Sequence, residues 1–229
     1  MAIAHGIAQP TSADAIRKFV ATWNAEASDV APESVALALR AASTMDEYHR
    51  NAQSIEIVWT GPSFQGCTLR RTDQVLLDLI QSAERSLMII TFAAYDIPHV
   101  ARALQDAAGR NVDIIMILES SESSAGKLSF NALDALGAAV SKTARVYVWP
   151  LEKREKDEAG HHGCLHAKCA IADGKSALIS SANLTGHTLN LNMELGLLIR
   201  GGDVPSSIAD HFRRIIKSGA LELARRNST

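Results

Sequence analysis

The chain has 229 residues, 47% apolar and 21% charged, which excludes a disordered tail and suits one domain with an appendage. A net charge of −2 at pH 7 excludes a global basic field for polyanions, so any phosphate-binding surface must be local. Three scattered cysteines, Cys67, Cys164 and Cys169, exclude a disulfide scaffold, and neither a secretory leader nor an apolar run of roughly 18 residues is present. The expectation is a soluble, cytoplasmic protein with no membrane partner.

Residues 1–52 read as a helical extension. Ile16, Phe19, Val20 and Trp23 recur at helical spacing behind the capping candidate Ser12, and a second, short helix starts at Pro32 with Val35, Leu37 and Leu39 as apolar positions. From residue 53 to 229 the pattern changes to alternating strands and helices, which predicts a mixed α/β sheet flanked by helices on both faces. "IEIVW" (55–59) is a strand ended by Gly61-Pro62. Thr72 is placed to cap a helix whose apolar face is Val75, Leu76, Leu79, Ile80 and Ala83. Strand 86–92, helix 98–109 and strand 112–118 then form a βαβ unit. A Ser-rich loop (119–127) leads to a helix around Phe130, Leu133 and Leu136, and to strand 145–149. The charged loop 151–163 follows, and a last helix from Pro205 presents Ile208, Phe212, Ile215 and Ile216.

The stretch "LHAKCAIADGKSALISSANLTGHTLNLNMELGLLI" (165–199) carries the chemistry. Read as a strand, residues 165–172 alternate faces, so His166 and Lys168 share a side roughly 6–7 Å apart and can address one ligand. Asp173-Gly174 predicts a hairpin: a two-residue turn sets His166 opposite Ser181, with Asn183 just beyond the returning strand, and a three-residue turn shifts this pairing by one, so the expectation concerns proximity and not register. Glu194 is the one charge in the strand "MELGLLI"; a carboxylate there requires a partner, and His166 is the expected one. An imidazole oriented by a carboxylate can attack phosphorus, with Lys168, Asn183 and Ser181 holding the anionic oxygens and no metal required.

His166-x-Lys168, Asp173, Ser181-x-Asn183 and Glu194 resemble the H-x-K-x4-D…S-x-N…E signature of the phospholipase D superfamily, with Ser180 where the family usually has glycine. "VWTGP", "VYVWP" and "SANLTGHTLNLNMELGLLI" are further similar to the small single-motif phospholipase D-like proteins of DISARM antiphage defence islands. The resemblance implies that His166 is a nucleophile forming a phosphohistidine, that Lys168 and Asn183 bind phosphate, that Ser181 supports them and that Glu194 orients His166. Asp173, which falls at the turn, is assigned to holding the hairpin. A single motif implies a homodimer whose active site lies at the interface, with two copies of His166 face to face. The implied function is a metal-independent phosphodiesterase without cofactor, a nuclease acting on DNA rather than RNA in antiphage defence, alongside other defence-system proteins.

Three other readings remain. His161, His162, Cys164 and His166 lie within six residues of one another, as zinc ligands can. The chain could be a catalytically silent nucleic-acid-binding or scaffold subunit, or a phosphodiesterase acting on phospholipid. Local cations for a polyanion are Arg70, Arg71, Lys153, Arg154 and Lys156, but those of 151–158 alternate with acids and read as a solvated face.

Overall fold

Residues 87–90 and 114–118 are apolar without alternation, and such strands are stable only when both faces are covered. The computed structural model, which describes residues 10–62, 69–95, 97–119 and 143–224, shows how they are covered. The chain divides at Asn51/Ala52 into two compact units.

The first unit contains helices α1 (Pro10–Glu26) and α2 (Pro32–Ala52). Ser12 falls inside α1, which starts on proline, a residue suited to a first helical turn. The second helix is longer than expected, because "ALALRAA" consists of strong helix formers.

The second unit is a mixed α/β layer structure. Its strands are β1 (Gln53–Thr60), β2 (Arg70–Arg71), β3 (Ser86–Thr91), β4 (Ala94–Tyr95), β5 (Asp113–Leu118), β6 (Arg145–Val148), β7 (Cys169–Ala172), β8 (Ser176–Ser180), β9 (Leu184–Thr185), β10 (Glu194–Gly201) and β11 (Glu222–Leu223). Its helices are α3 (Thr72–Ser82), α4 (Pro98–Gly109), α5 (Gly186–Asn190) and α6 (Val204–Lys217). Nine strands form one sheet in the order β11-β6-β5-β3-β7-β8-β10-β1-β2, and β4 pairs with β9 separately. The β3–β5–β6 run is parallel, while β3–β7–β8–β10–β1 is antiparallel.

Alternation along the central strands separates two cores. Leu87 and Ile89 of β3, Ile114 and Met116 of β5, and Ala170 of β7 pack with α3 (Val75, Leu76, Leu79, Ile80) and α4 (Val100, Leu104, Ala107). Met88, Ile90, Ile115, Ile117 and Ile171 turn the other way, toward Ile208, Ala209, Phe212, Ile215 and Ile216 of α6. Fully burying each such aliphatic side chain contributes about 1.5–3 kcal/mol.

The structure corrects some expectations. Thr72 does not cap α3; Arg71 occupies the cap position without a side-chain bond, and the Thr72 hydroxyl is buried with no hydrogen-bond partner among the described residues. The helix expected around Phe130, Leu133 and Leu136, most of the Ser-rich loop and Cys67 lie outside the described residues.

The β7–β8 turn fixes the hairpin that carries the motif. Asp173 and Gly174 both adopt positive φ (55° and 66°), which glycine accepts freely and aspartate tolerates. Lys175 N–H donates to Ala172 O at 2.9 Å. The Lys175 carbonyl, however, accepts from Gly201 N–H of β10 at 2.8 Å, so Lys175 joins the loop and Ala172 pairs with Ser176. The loop thus holds three residues instead of two.

The Asp173 carboxylate accepts backbone N–H bonds from Glu84 (3.0 Å), Arg85 (2.8 Å) and Ser86 (2.8 Å), binding the turn to the start of β3. Partial burial pushes this carboxyl up, but the three N–H donors and the Arg85 charge outweigh it and hold the pKa below the usual carboxylate range. A folded-state pKa depressed in this way contributes stability that is present above the unfolded pKa and lost as pH falls through the folded value. Asp173→Asn, which retains tolerance for positive φ, should therefore destabilise the protein by about 1–3 kcal/mol at pH 7 in urea unfolding. That difference should shrink progressively below about pH 4, and a pH-independent difference would mean that the charge is not what matters.

Candidate functional site

The strand expected from Leu165 begins only at Cys169. Its neighbours explain the difference: the β3 and β8 ladders both end on Cys169, opposite Ile90 and Ile179, with one further bond from Ser180 N–H to Lys168 O at 3.1 Å. Residues 163–168 therefore approach the sheet without a ladder of their own. The added loop residue also moves the register by one, so Ser180 lies across from Lys168 and Ser181 no longer faces His166.

His166 is exposed, and its ring lies edge-on to Phe92, with centroids 5.7 Å apart and planes at 61°. Neither ring nitrogen has a hydrogen-bond partner among the described residues. Lys168, half-buried, donates from Nζ to the His166 carbonyl at 2.7 Å. Burial lowers the Lys168 pKa, and the nearby Cys164 and Glu194 only partly oppose this. Cys169 offers no competing nucleophile near neutral pH, because burial pushes its thiol up to about 12.

Lys168 and Asn183 line one small cavity with Ser180, Thr72 and Thr91, about 30 Å³ in volume and able to hold a water molecule. Asn183 Oδ1 is buried without a partner among the described residues, whereas its backbone carbonyl accepts from Thr188 Oγ1 at 2.5 Å. A buried amide oxygen left open in this way suits it to a ligand or water. Ser180, in place of the family's usual glycine, is accommodated because it pairs with Gly196; a Cβ at 196 would come within 2.6 Å of Ile179 O and 3.0 Å of Ser180 Cβ.

The expected Glu194–His166 bond is absent among the described contacts. Glu194 opens β10 and is buried, and its carboxylate accepts from Ser181 Oγ and from Asn192 Nδ2 (3.1 Å). The carboxylate does take partners, but they are the residue directly after β8 and one in the loop before β10 instead of the imidazole. Ser181 is held on both sides of this contact: its N–H donates to Leu195 O at 3.1 Å and its Oγ accepts from Leu195 N–H at 3.2 Å.

Two residues that sequence reasoning missed lie beside the motif. Arg154 is buried rather than part of a solvated face, and it pairs with Glu119, whose side chain is only 8% exposed. The available signal was Glu119 itself, a charge directly after the apolar run "DIIMIL", as Glu194 is a charge directly before "LGLLI". Three of the other local cations are also engaged: Arg70 with Asp78 (2.5 Å), Arg71 with Asp73 (2.9 Å) and Lys153 with Glu222 (2.6 Å). Those pairs are solvent-exposed and worth at most about 1 kcal/mol, so a phosphate can displace them. In the loop 151–163, His161 is drawn to Asp157, and no three His, Cys, Asp or Glu side chains converge as a metal-binding group among the described residues.

The family model for the cardiolipin synthase PLD-like domain matches residues 76–216, so the chain belongs to the phospholipase D-like family of phosphodiesterase folds. It is 30% identical over 177 residues to the DISARM protein DrmC of Bacillus paralicheniformis, covering 76% of this chain and 65% of that protein. It is 28% identical over 172 residues to cardiolipin synthase A of Buchnera aphidicola subsp. Baizongia pistaciae, covering 73% of this chain but only 31% of that protein. NucT from Helicobacter pylori matches in structure with a TM-score of 0.55 and 17% identity over 72% of this chain and 98% of its own. Nuc from Salmonella typhimurium, a phospholipase D family member, gives 0.53 and 18% over 76% and 99%. These two likenesses show the fold.

Replacing the Ser181 hydroxyl should expose the cost of burying Glu194. Ser181→Ala is expected to lower stability by about 1–3 kcal/mol in urea unfolding at pH 7. An unchanged midpoint would mean that the carboxylate is satisfied without this donor.

Proposed function

We propose that the chain is a metal-independent phosphodiesterase, acting on DNA as a nuclease in antiphage defence, with residues 53–229 as the phosphodiesterase domain and 1–52 as a helical extension. The observation that carries this reading is an exposed imidazole with no hydrogen-bond partner among the described residues, two residues from a lysine that shares a cavity with an open asparagine amide.

In this reading a ring nitrogen of His166 attacks phosphorus, a P–N bond forms and the P–O bond to the leaving oxygen breaks. Lys168 and Asn183 hold the nonbridging oxygens, where charge accumulates in the transition state. The leaving alkoxide takes a proton from a second imidazole. That imidazole then takes a proton from water as the water attacks phosphorus and releases His166. The second imidazole is His166 of another copy in a homodimer whose interface contains the site. Glu194 acts through Ser181, which it holds beside Asn183, and Asp173 fixes the hairpin. DNA is favoured by the resemblance to short single-motif members of the family and by similarity to a DISARM protein, which also suggests partners among other defence proteins.

One observation favours a second reading, a phospholipid substrate. Leu191, Met193 and Leu195, within three residues of Glu194 in sequence, are all exposed, and exposed apolar side chains suit acyl chains; several relatives carry the name cardiolipin synthase A. No described helix is long and apolar enough to cross a membrane.

The deciding experiment compares wild type and His166→Ala on single- and double-stranded DNA, on RNA and on phospholipid vesicles, each with and without EDTA. Cleavage of DNA that resists EDTA and is lost in the mutant is the expected result. Equal behaviour of the two proteins would leave a silent binding subunit, and turnover of lipid alone would select the second reading. Because burial lowers the Lys168 pKa, its ammonium loses its proton below the ordinary lysine range, so the rate should fall on the alkaline side earlier than an exposed lysine would allow. Lys168→Arg should move that limb upward; a limb at the same pH in the arginine variant would assign it to another group. Light scattering should give the mass of a dimer, and an active monomer would refute the shared site.

A further inference from the structure

Residues 163–168 carry the imidazole into the site, yet no sheet ladder holds them. Their two ends are tied by Ser180 N–H to Lys168 O (3.1 Å) and by Gly163 N–H to Glu155 O (3.2 Å), and between these the Glu119–Arg154 pair holds them. Arg154 donates from Nε to Trp149 O at 3.0 Å, from Nη1 to Gly163 O at 3.0 Å and from Nη2 to Glu119 Oε1. The second Glu119 oxygen, Oε2, accepts the Leu165 N–H at 2.5 Å. The side chains are 3% and 8% exposed, and the guanidinium lies 5.2 Å from the centre of the Trp149 ring. One ion pair therefore joins the end of β5, the end of β6, the 3₁₀ turn Leu151–Lys153 and the backbone on the N-terminal side of His166.

Buried ion pairs add little stability compared with apolar residues of similar volume. A planar, bidentate guanidinium does add directional hold, which a flexible ammonium does not reproduce. We propose that Glu119 and Arg154 are positioning residues for His166: they fix Gly163 and Leu165, and so set where the imidazole stands relative to Lys168 and Asn183. The proposal rests on the reading that His166 reacts with phosphorus. Displacing a reacting group by about 1 Å can cost on the order of 10²-fold in rate.

The test uses Arg154→Lys and the paired replacement Glu119→Leu with Arg154→Met, in the full chain. The paired variant removes both charges together, so it is expected to fold with a melting temperature close to wild type. Its kcat for a DNA substrate should nevertheless fall about 10- to 100-fold with KM little changed, and Arg154→Lys should not rescue it. Wild-type kcat in the folded paired variant, or in Arg154→Lys, would overturn the proposal.

A second readout does not depend on turnover. In ¹³C,¹⁵N-histidine NMR, with the His166 ring signal identified by its loss in His166→Ala, wild type should show one narrow signal and the paired variant a broadened or doubled one. An unchanged signal in the paired variant would overturn the positioning role. An inactive wild type with the expected change of signal would instead refute the phosphodiesterase reading and leave the positioning role standing.

Discussion

A carboxylate withdrawn from water must collect hydrogen-bond donors or cost several kcal/mol, and this demand organises the region around His166. Three carboxylates meet it in three ways. Asp173 takes backbone N–H groups from residues 84–86 and so ties the motif hairpin to β3. Glu194 takes Ser181 and Asn192 and so ties the end of β8 to the start of β10. Glu119 takes Arg154 and the Leu165 N–H and so ties β5 to the segment entering the motif. In each case at least one donor lies far from the acceptor in sequence, so satisfying the charge also fixes chain geometry. The sheet supplies the platform, and the carboxylates determine how the chain leaves it.

This division of work explains why the segment that carries His166 is not itself a strand. A histidine within the ladder would have its backbone fixed by neighbours on both sides, with its side chain confined to one face of a covered sheet. Ending the β3 and β8 ladders at Cys169 frees His166 to reach solvent, while Lys168, one residue from the ladder's end, remains half-buried. Burial in turn lowers the Lys168 pKa. The same geometry therefore exposes one group and partly desolvates the other.

The central layers were legible in the sequence because their signals are local: the spacing of Val75, Leu76, Leu79 and Ile80 gives a helix face, and the apolar runs at 87–90 and 114–118 give doubly covered strands. The Asp-Gly hairpin was legible as well, but its register was not. The Lys175 carbonyl is claimed by Gly201, a residue of a strand that the turn cannot anticipate. Among the candidate site residues, the residue types and their spacing were readable, whereas the pairing was not. Glu194 signalled a need for a donor, but which of His166, Ser181 or Asn192 supplies it depends on strand ends that shift by single residues. Arg154 was hidden more completely, because a cation among Glu152, Glu155, Asp157 and Glu158 looks solvated, and only the approach of Glu119, 35 residues away, buries it.

Once the carboxylates are assigned, the proton economy of the proposed reaction narrows. A phosphodiester cleaved by an imidazole needs a second group to protonate the leaving oxygen and then to activate water. Glu194 is buried, the Glu119 side chain is only 8% exposed, both already accept at both oxygens, and Asp173 accepts three backbone N–H groups on the far side of the hairpin turn. Recruiting any of them as a proton donor would dismantle the support it provides. Lys168 is charged and, in the proposed chemistry, engaged with phosphate. Among the described residues these three carboxylates therefore hold the chain around His166 and, in the proposed reaction, carry no proton. In the proposed reaction that second group is an imidazole of another copy of the chain, as the resemblance to single-motif members of the family implies.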